Sequence, residues 1–469
     1  MKSTIALAIV GLIVVGTIAF ALWSSRTAKR DPQEYIIGGR SFGALFLWLL
    51  LAGEVYTSFT FLGAAGFAYG QGAPVYYILA YGTCAYILGY FLLPAIWRVS
   101  KQRNLLTAPD FFVDRYGSKT LGVGIAILQF VFMIPYVTLQ LSGLQTILIM
   151  TGYGRFDATA AVAGAFVLIA LFVFTAGLRG TAWASVIKDA LVLAGAIFAG
   201  IVLPIHFFGS VPAMFAHLRA AHAAMLTLAP AGAPSGTLWY VSTVLLTGIG
   251  FYMGPQSFNA LYSAKNEDVL RRNAVFLPLY QIVLLLIFFA GFTALLVAPG
   301  LHRAHVDESF LLVVQRYYPP WVMGAIGGAG ALAALVPASA LLLATASVAS
   351  KNILGNERAT RALVLAVAVL ALTLWLLEKQ TLVSLLLLVY DGITQFAPGV
   401  ICAFVWRRAT AWGVGAGVAV GTLAAYWLST RPTPWGLNPG FIALLINVAV
   451  LVVVSAMTRR RTELASARS

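Results

Sequence analysis

Stretches long and apolar enough to cross a bilayer recur along nearly the whole chain. They run over 4–23, 43–70, 74–97, 121–151, 158–176, 184–207, 236–260, 275–298, 320–349, 361–378, 381–406, 411–429 and 439–457. A hydrocarbon core of ~30 Å takes ~20 residues of helix to span. Lipid offers no hydrogen bonds to the backbone, so only helices and closed barrels cross it. Barrel strands alternate apolar and polar residues over ~10 positions, and these stretches do not. The expected fold is therefore an all-α membrane protein of about 13 transmembrane helices. With 61% apolar and 10% charged residues, against ~45–50% and ~25% in soluble domains, the chain cannot be a soluble enzyme, a disordered protein or a secreted disulfide scaffold.

The net charge of +15 would suggest nucleic acid on a soluble chain. Here the basic residues lie between apolar spans and act as topology signals, so no nucleic-acid partner is expected; the lipid bilayer is the surrounding partner. Taking the first intervening segment and every second one after it as cytoplasmic puts 23 Lys and Arg on that side and 7 on the other. The positive-inside rule then sets the N-terminus outside and the C-terminus inside. Arg26, Lys29 and Arg30 follow the first span while only Lys2 precedes it, so an uncleaved helix is expected rather than a signal peptide. Cys84 and Cys402 sit inside spans, and His206, His217, His222, His302 and His305 at or beyond span ends. No disulfide framework or metal cluster is expected, and no cofactor beyond a coupling Na⁺ or H⁺. Neither the outer loop nor the basic tail suggests a second domain or an obligate protein partner.

Setting aside the first span and the last two leaves ten, five and five. An odd number per half inverts the second half relative to the first, as in inverted-repeat transporters. The expected organisation is an N-terminal helix and inner loop over 1–42, a first repeat over 43–207, an outer loop over 208–235, a second repeat over 236–406, and two further helices with a basic tail over 407–469. The opening helix of each repeat should be broken near the bilayer midplane. "LLLAGEVYTSFTFLGAAG" carries Gly53 and Glu54, and "LLTGIGFYMGPQSFN" carries Gly248, Gly250, Gly254 and Pro255. Gly and Pro weaken helices, and Gly also serves ordinary close packing in membranes. Paired interruptions in corresponding positions point to a binding site.

The strips "YIIGGRSFG", "TFLGAAGFAYGQG", "LTAPDFFVDRYGSK", "RGTAWASVIKD" and "GALAALVPASALLLATASVASKNIL" together resemble the sodium:solute symporter family from about Tyr35 to Trp406. The resemblance implies a LeuT-like core of five-plus-five inverted helices with flanking helices, in a bacterial inner membrane. "MIPYVTLQLSG", "VIKD", "ALVPA" and an acid after Gly53 are most similar to bacterial monocarboxylate (lactate and pyruvate) permeases. What the resemblance implies is a secondary symporter that imports a small solute, such as a short monocarboxylate, by alternating access and is not an enzyme.

By the same resemblance, sodium-coupled members hold the ion between the first and eighth core helices. The corresponding carbonyls fall at Gly53, Tyr56 and Ala334, but the two hydroxyl positions fall at Pro337 and Ala338, which carry no side-chain oxygen. A hard cation needs oxygen ligands to replace its water, so a sodium site there should be weak. Ser339 is adjacent, and Ser339 with Thr345 offers a displaced site. On the fifth core helix this chain has Ser185 and Lys188 where such relatives tend to have Asp and Gln. Lys188 beside Asp189 is either an interfacial snorkelling lysine or a tethered cation that reaches the vacated ion position and carries a proton.

For the solute, the expected contacts are Glu54, Tyr56, Thr57, Tyr136, Gln140, Tyr252 and Gln256. Glu54 is an ionisable group within a span, where such groups are costly and usually functional. Tyr136 and Gln140 lie four apart on one helix face; packing explains Tyr136 equally well. Asp391 is either a gating or an interfacial carboxylate. No Arg lies deep in a span, so an anion would meet the N–H groups of the broken helices. The alternatives are a sodium-coupled amino-acid symporter of the same family and, from another class, a membrane sensor on a transporter scaffold.

Overall fold

The structure is a computed structural model that describes residues 1–26, 31–154, 157–230, 235–377, 382–432 and 434–466; the side chains of Glu54, Ala158, Pro434 and 459–466 also lie outside the described residues. Its principal helices are α1 (Lys2–Ser25), α2 (Ala44–Val55), α3 (Ala64–Gln71), α4 (Tyr77–Arg103), α5 (Ala108–Tyr116), α6 (Lys119–Thr151) and α7 (Ala158–Ile197). They continue with α8 (Thr237–Gly250), α9 (Pro255–Ser263), α10 (Glu267–Ile282), α11 (Leu284–Val297), α12 (Ser309–Tyr317) and α13 (Pro320–Val348). The last are α14 (Thr360–Leu377), α15 (Leu382–Ile393), α16 (Ala397–Val405), α17 (Ala411–Ser429) and α18 (Pro439–Ser466).

Among the described residues, 10 helical segments are long and apolar enough to cross a membrane, and α2 and α8 are shorter apolar helices. The thirteen expected stretches map onto these because two of them share one rod. Thr159–Phe208 is 50 residues long, or ~75 Å at 1.5 Å per residue, far more than a bilayer. It turns at Gly177, whose φ of 59° and ψ of −155° are non-helical. Only glycine populates that region readily. A Cβ there would also lie 2.7 Å from the Tyr35 ring and 2.8 Å from the Tyr35 carbonyl oxygen. Gly177→Ala should therefore cost ~1–3 kcal/mol in backbone strain, with overpacking added. The expected result is a clear fall in thermal midpoint in detergent; an unchanged midpoint would show that the bend does not depend on glycine.

Both opening helices of the repeats are interrupted, as the glycine and proline pattern predicts. After Val55 the chain leaves the helix at Tyr56 (φ −95°, ψ 88°) and resumes through a π turn over Phe59–Gly63. After Gly250 it runs through an extended Gly254 (φ −72°, ψ 149°) into Pro255, which needs no N–H partner at a helix start. The far ends of the two interrupted helices meet: Phe42 N–H donates to Ser263 O (2.9 Å) and Lys265 N–H to Phe42 O (2.9 Å). Arg40 bonds Leu105 O (2.6 Å) and Ser100 Oγ (2.9 Å) beside this bridge.

α13 is the centre of the bundle. It is buried along most of its length and packs against α1, α6, α7, α9 and α14. Small residues permit this: Gly324, Gly327 and Gly328 face Ala6, Val10 and Ile13 of α1. In lipid such close approach replaces the hydrophobic drive that holds soluble cores together. The outward faces carry exposed Leu12, Ile87, Phe91, Val131 and Leu171, as a lipid-facing surface requires.

Candidate functional site

A small cavity of about 20 Å³ lies beside the first break. Gly53 and Thr57 come from the broken helix, Tyr136 from α6, and Thr181 and Ser185 from α7. Gln256 comes from α9, and Val336, Pro337 and Ala340 from α13. Five residues expected at the site thus line one space: Gly53, Thr57, Tyr136, Gln256 and Pro337. Thr181 and Ser185 join them.

Lys188 lies behind Gly53. A Cβ built on Gly53 would be 3.4 Å from Lys188 Nζ and 3.6 Å from Ser185 Oγ, so glycine lets the ammonium reach the broken helix. Lys188 is fully buried and pairs with Asp189 at 2.6 Å; it does not snorkel to the interface. Tyr280 Oη donates to Asp189 Oδ1 (3.2 Å). Tyr56 Oη donates to Tyr280 O (3.0 Å), which turns Tyr56 towards α10 and away from the cavity. Where the resemblance places the eighth-helix ion ligands, Pro337 lines the cavity while Ala334 and Ala338 are buried. Ser339 Oγ is 3.0 Å from Thr181 Oγ1 and donates to Val336 O (2.6 Å). Thr345 donates to Leu341 O on its own helix (2.7 Å).

Two glutamines of α6 tie the two breaks. Gln140 Oε1 accepts from Ser58 N–H (3.2 Å), and Thr60 Oγ1 accepts from Thr57 N–H (2.8 Å). The N–H groups at the first break, expected to receive an anion, are therefore already occupied by side chains. Gln129 Nε2 donates to Met253 O (3.3 Å) at the second break. Gln129 had no sequence signal except that a buried amide in a span wants a partner. Asn259, one turn beyond Gln256, was also missed: it is 1% exposed, and neither side-chain polar atom has a hydrogen-bond partner among the described residues. Gln140 Nε2 and Gln256 Oε1 are likewise buried without one. Unsatisfied buried amides are costly, so these are groups for a solute or water to meet. Tyr252 packs its ring where a Cβ on Gly89 would fall 2.7 Å away, so its bulk is directed at α4. Glu54 lies in α2, and its side chain falls outside the described residues. Asp391 is 6% exposed and lies against Gly440 of α18.

On the rim, Asp307 is buried between α11 and α12. Its Oδ2 accepts from Leu382 N–H (3.1 Å) at the start of α15, and Oδ1 abuts Gly66 of α3. Burial pushes its carboxyl up to about 6, with the Leu382 N–H opposing and Glu308 adding to the rise. The packed carboxyl binds a proton more readily than an open one, so packing is favoured below about pH 4 and weakens as pH rises through about 6. Asp307→Asn keeps the acceptor for Leu382 without the charge. Its thermal midpoint should come close to wild type at pH 4 and exceed it at pH 7.5; a constant difference would count against this.

The family model described as "SSF: Sodium:solute symporter family" matches residues 35–421. The chain is 39% identical to an uncharacterized symporter, YhjB, of Bacillus subtilis, over 96% of this chain and 97% of that one. It is 26% identical to a monocarboxylate transport permease of Rhizobium johnstonii (95% and 94% covered), and 24% identical to the sodium/proline symporter of Escherichia coli (99% and 96% covered). The fold is similar to that of a Na⁺-coupled sialic acid symporter in a substrate-bound outward-open state, with a TM-score of 0.81, 15% identity and 97% of both chains covered.

Proposed function

The chain belongs to the sodium:solute symporter family, and from that premise we propose that it imports a short-chain monocarboxylate together with a proton, with the Lys188–Asp189 pair in place of a bound sodium ion. Family and fold make the protein a multi-pass membrane transporter of the cation-coupled symporter type, and not an enzyme. The family implies sodium coupling; the residues of this chain favour a different cation.

The observation that carries the reading is the position of Lys188 Nζ against Gly53. A second cation beside an ammonium is repelled, and in a poorly solvated site that repulsion is strong. Pro337 and Ala338 also withhold the two hydroxyls a sodium ion would use. A proton bound by Asp189 neutralises the carboxylate, breaks the pair and frees the ammonium to face the carboxylate of a solute in the adjoining cavity. Tyr136, Gln256 and Thr57 supply further polar contacts there. On leaving, the solute returns the ammonium to Asp189 and the proton is released. The likeness to a monocarboxylate permease supports the solute class. The basic segments support an N-terminus outside and a C-terminus inside, in a bacterial inner membrane.

A second reading has one observation in its favour. The hydroxyls of Thr181 on α7 and Ser339 on α13 meet at 3.0 Å, with Ser185 one turn along α7 on the same cavity wall; they offer a displaced sodium site, and a sodium/proline symporter is among the relatives. Uptake of labelled lactate, pyruvate and proline into proteoliposomes, with and without Na⁺ and a proton gradient, separates the two. We expect carboxylate uptake in Na⁺-free medium that collapses with a proton ionophore. A strict Na⁺ requirement overturns the proton reading; proline accumulation without carboxylate uptake overturns the solute.

A further inference from the structure

We propose that an apolar groove between α2 and α10 is a binding site for one acyl chain of an anionic phospholipid, with its headgroup on Arg272. This does not rest on the identity of the transported solute. The groove holds about 600 Å³. One wall is Arg272, Phe276, Leu279 and Val283 of α10 and its C-terminal edge; the other is Leu45 and Trp48 of α2, with Leu193 of α7 beside them. Leu45 (67% exposed), Phe276 (56%) and Leu279 (62%) are open to the surroundings, which at this depth are hydrocarbon.

The dimensions fit one leaflet. Arg272 to Val283 spans ~16 Å of helix at 1.5 Å per residue, and half of a ~30 Å hydrocarbon core is ~15 Å. The charge fits as well. Arg271 is held by Glu267 (3.2 Å) and Asp268 (3.4 Å), whereas Arg272 has no ion pair among the described residues. Lys265 and Arg271 add positive charge at the same end, on the side that the basic-residue count assigns to the cytoplasm. A cationic end on an apolar trough one leaflet deep matches an amphiphile with an anionic head. A second copy seated by a two-fold axis would instead set the two Arg272 groups at the same level.

The occupant would touch the moving parts. Trp48 packs at a tilt against Tyr280 with ring centres 4.8 Å apart, and Tyr280 likewise against Tyr56 at 4.4 Å. Tyr280 lines the groove and bonds Asp189 on its other side. A chain lodged here wedges the half-helix α2 against α10 and sets how far it hinges about the break at Tyr56.

The test is native mass spectrometry of the purified full-length protein with phosphatidylglycerol or phosphatidylcholine of identical chains. One phosphatidylglycerol should be retained in preference to phosphatidylcholine. Arg272→Gln, a surface change, should weaken that retention at least tenfold, while Arg431→Gln, elsewhere on the surface, leaves it unchanged. Leu279→Trp, which fills the trough, should displace both lipids. Equal retention of the two lipids, or no effect of Arg272→Gln, overturns the proposal. So does efficient cross-linking of Leu279→Cys between copies in phosphatidylglycerol vesicles, which would give the groove to a second subunit.

Discussion

Lys188→Gln lowers solute uptake by at least a hundredfold, and added Na⁺ does not restore it. The glutamine keeps most of the volume but removes the cation. Asp189 is then left as a buried carboxylate with only the Tyr280 hydroxyl at 3.2 Å. Removing one member of a buried pair costs ~3–5 kcal/mol, so some loss would come from folding alone. Lys188→Met with Asp189→Asn separates the two effects. The double variant has no orphaned charge and should recover thermal stability and membrane yield, yet it should remain unable to accumulate solute against a gradient. If the double variant accumulates solute with wild-type pH dependence, the pair has no part in coupling. If Lys188→Gln alone acquires Na⁺-driven uptake, the lysine is a sodium surrogate that the ion itself can replace, and proton transfer through Asp189 is not needed.

Asp110→Ala should produce the second large effect. Asp110 caps α5: its Oδ2 accepts from Leu106 N–H (2.9 Å) and Thr107 N–H (3.0 Å). It also joins α5 to the end of α13, accepting from Asn352 Nδ2 (2.8 Å) and pairing with Lys351 Nζ at 3.0 Å. Thr107 Oγ1 completes the junction by donating to Asn352 Oδ1 (2.7 Å). A cap is worth ~1 kcal/mol and a hydrogen bond to a charged group ~1.5–3 kcal/mol. Together they hold α5 to the end of α13 by roughly 3–4 kcal/mol, discounted for the part-exposed Lys351. Uptake should fall ten- to a hundredfold, and a cysteine reporter facing the cavity should label more readily from the inner side. Unchanged labelling would mean that the junction only stabilises the fold. Asp110→Asn, which keeps one acceptor oxygen, should fall between.

Much of the architecture was legible in the sequence because bilayer physics is strict. Long apolar runs have no other stable fold in lipid, and the paired glycine and proline interruptions mark where the two opening helices break. Gly53, Thr57 and Gln256 were recognisable as neighbours because corresponding segments of two inverted halves must face each other; Tyr136 was singled out by its spacing from Gln140 on one helix face, and Pro337 only by the family resemblance. The turn at Gly177 was not legible, since nothing local separates a bend from a loop there. Gln129 and Asn259 escaped because a single amide in an apolar run has no periodicity to reveal it; only the backbone it meets gives it meaning. Tyr56 and Tyr252 show the reverse, and Gln140 does so in its oxygen alone. Their residue types suited a solute, but Tyr56 is bonded to Tyr280, Tyr252 is packed on Gly89, and the Gln140 oxygen is spent on Ser58.

What the sequence by itself determined is the solvent of the fold, its spans and the places where its helices cannot remain continuous. Each of these follows from transfer free energy or backbone covalency within a short segment. What only the tertiary structure decided is how far Lys188 reaches and which partner it finds. That depends on a glycine more than a hundred residues away leaving room for an ammonium, and no local property of either segment encodes such a distance.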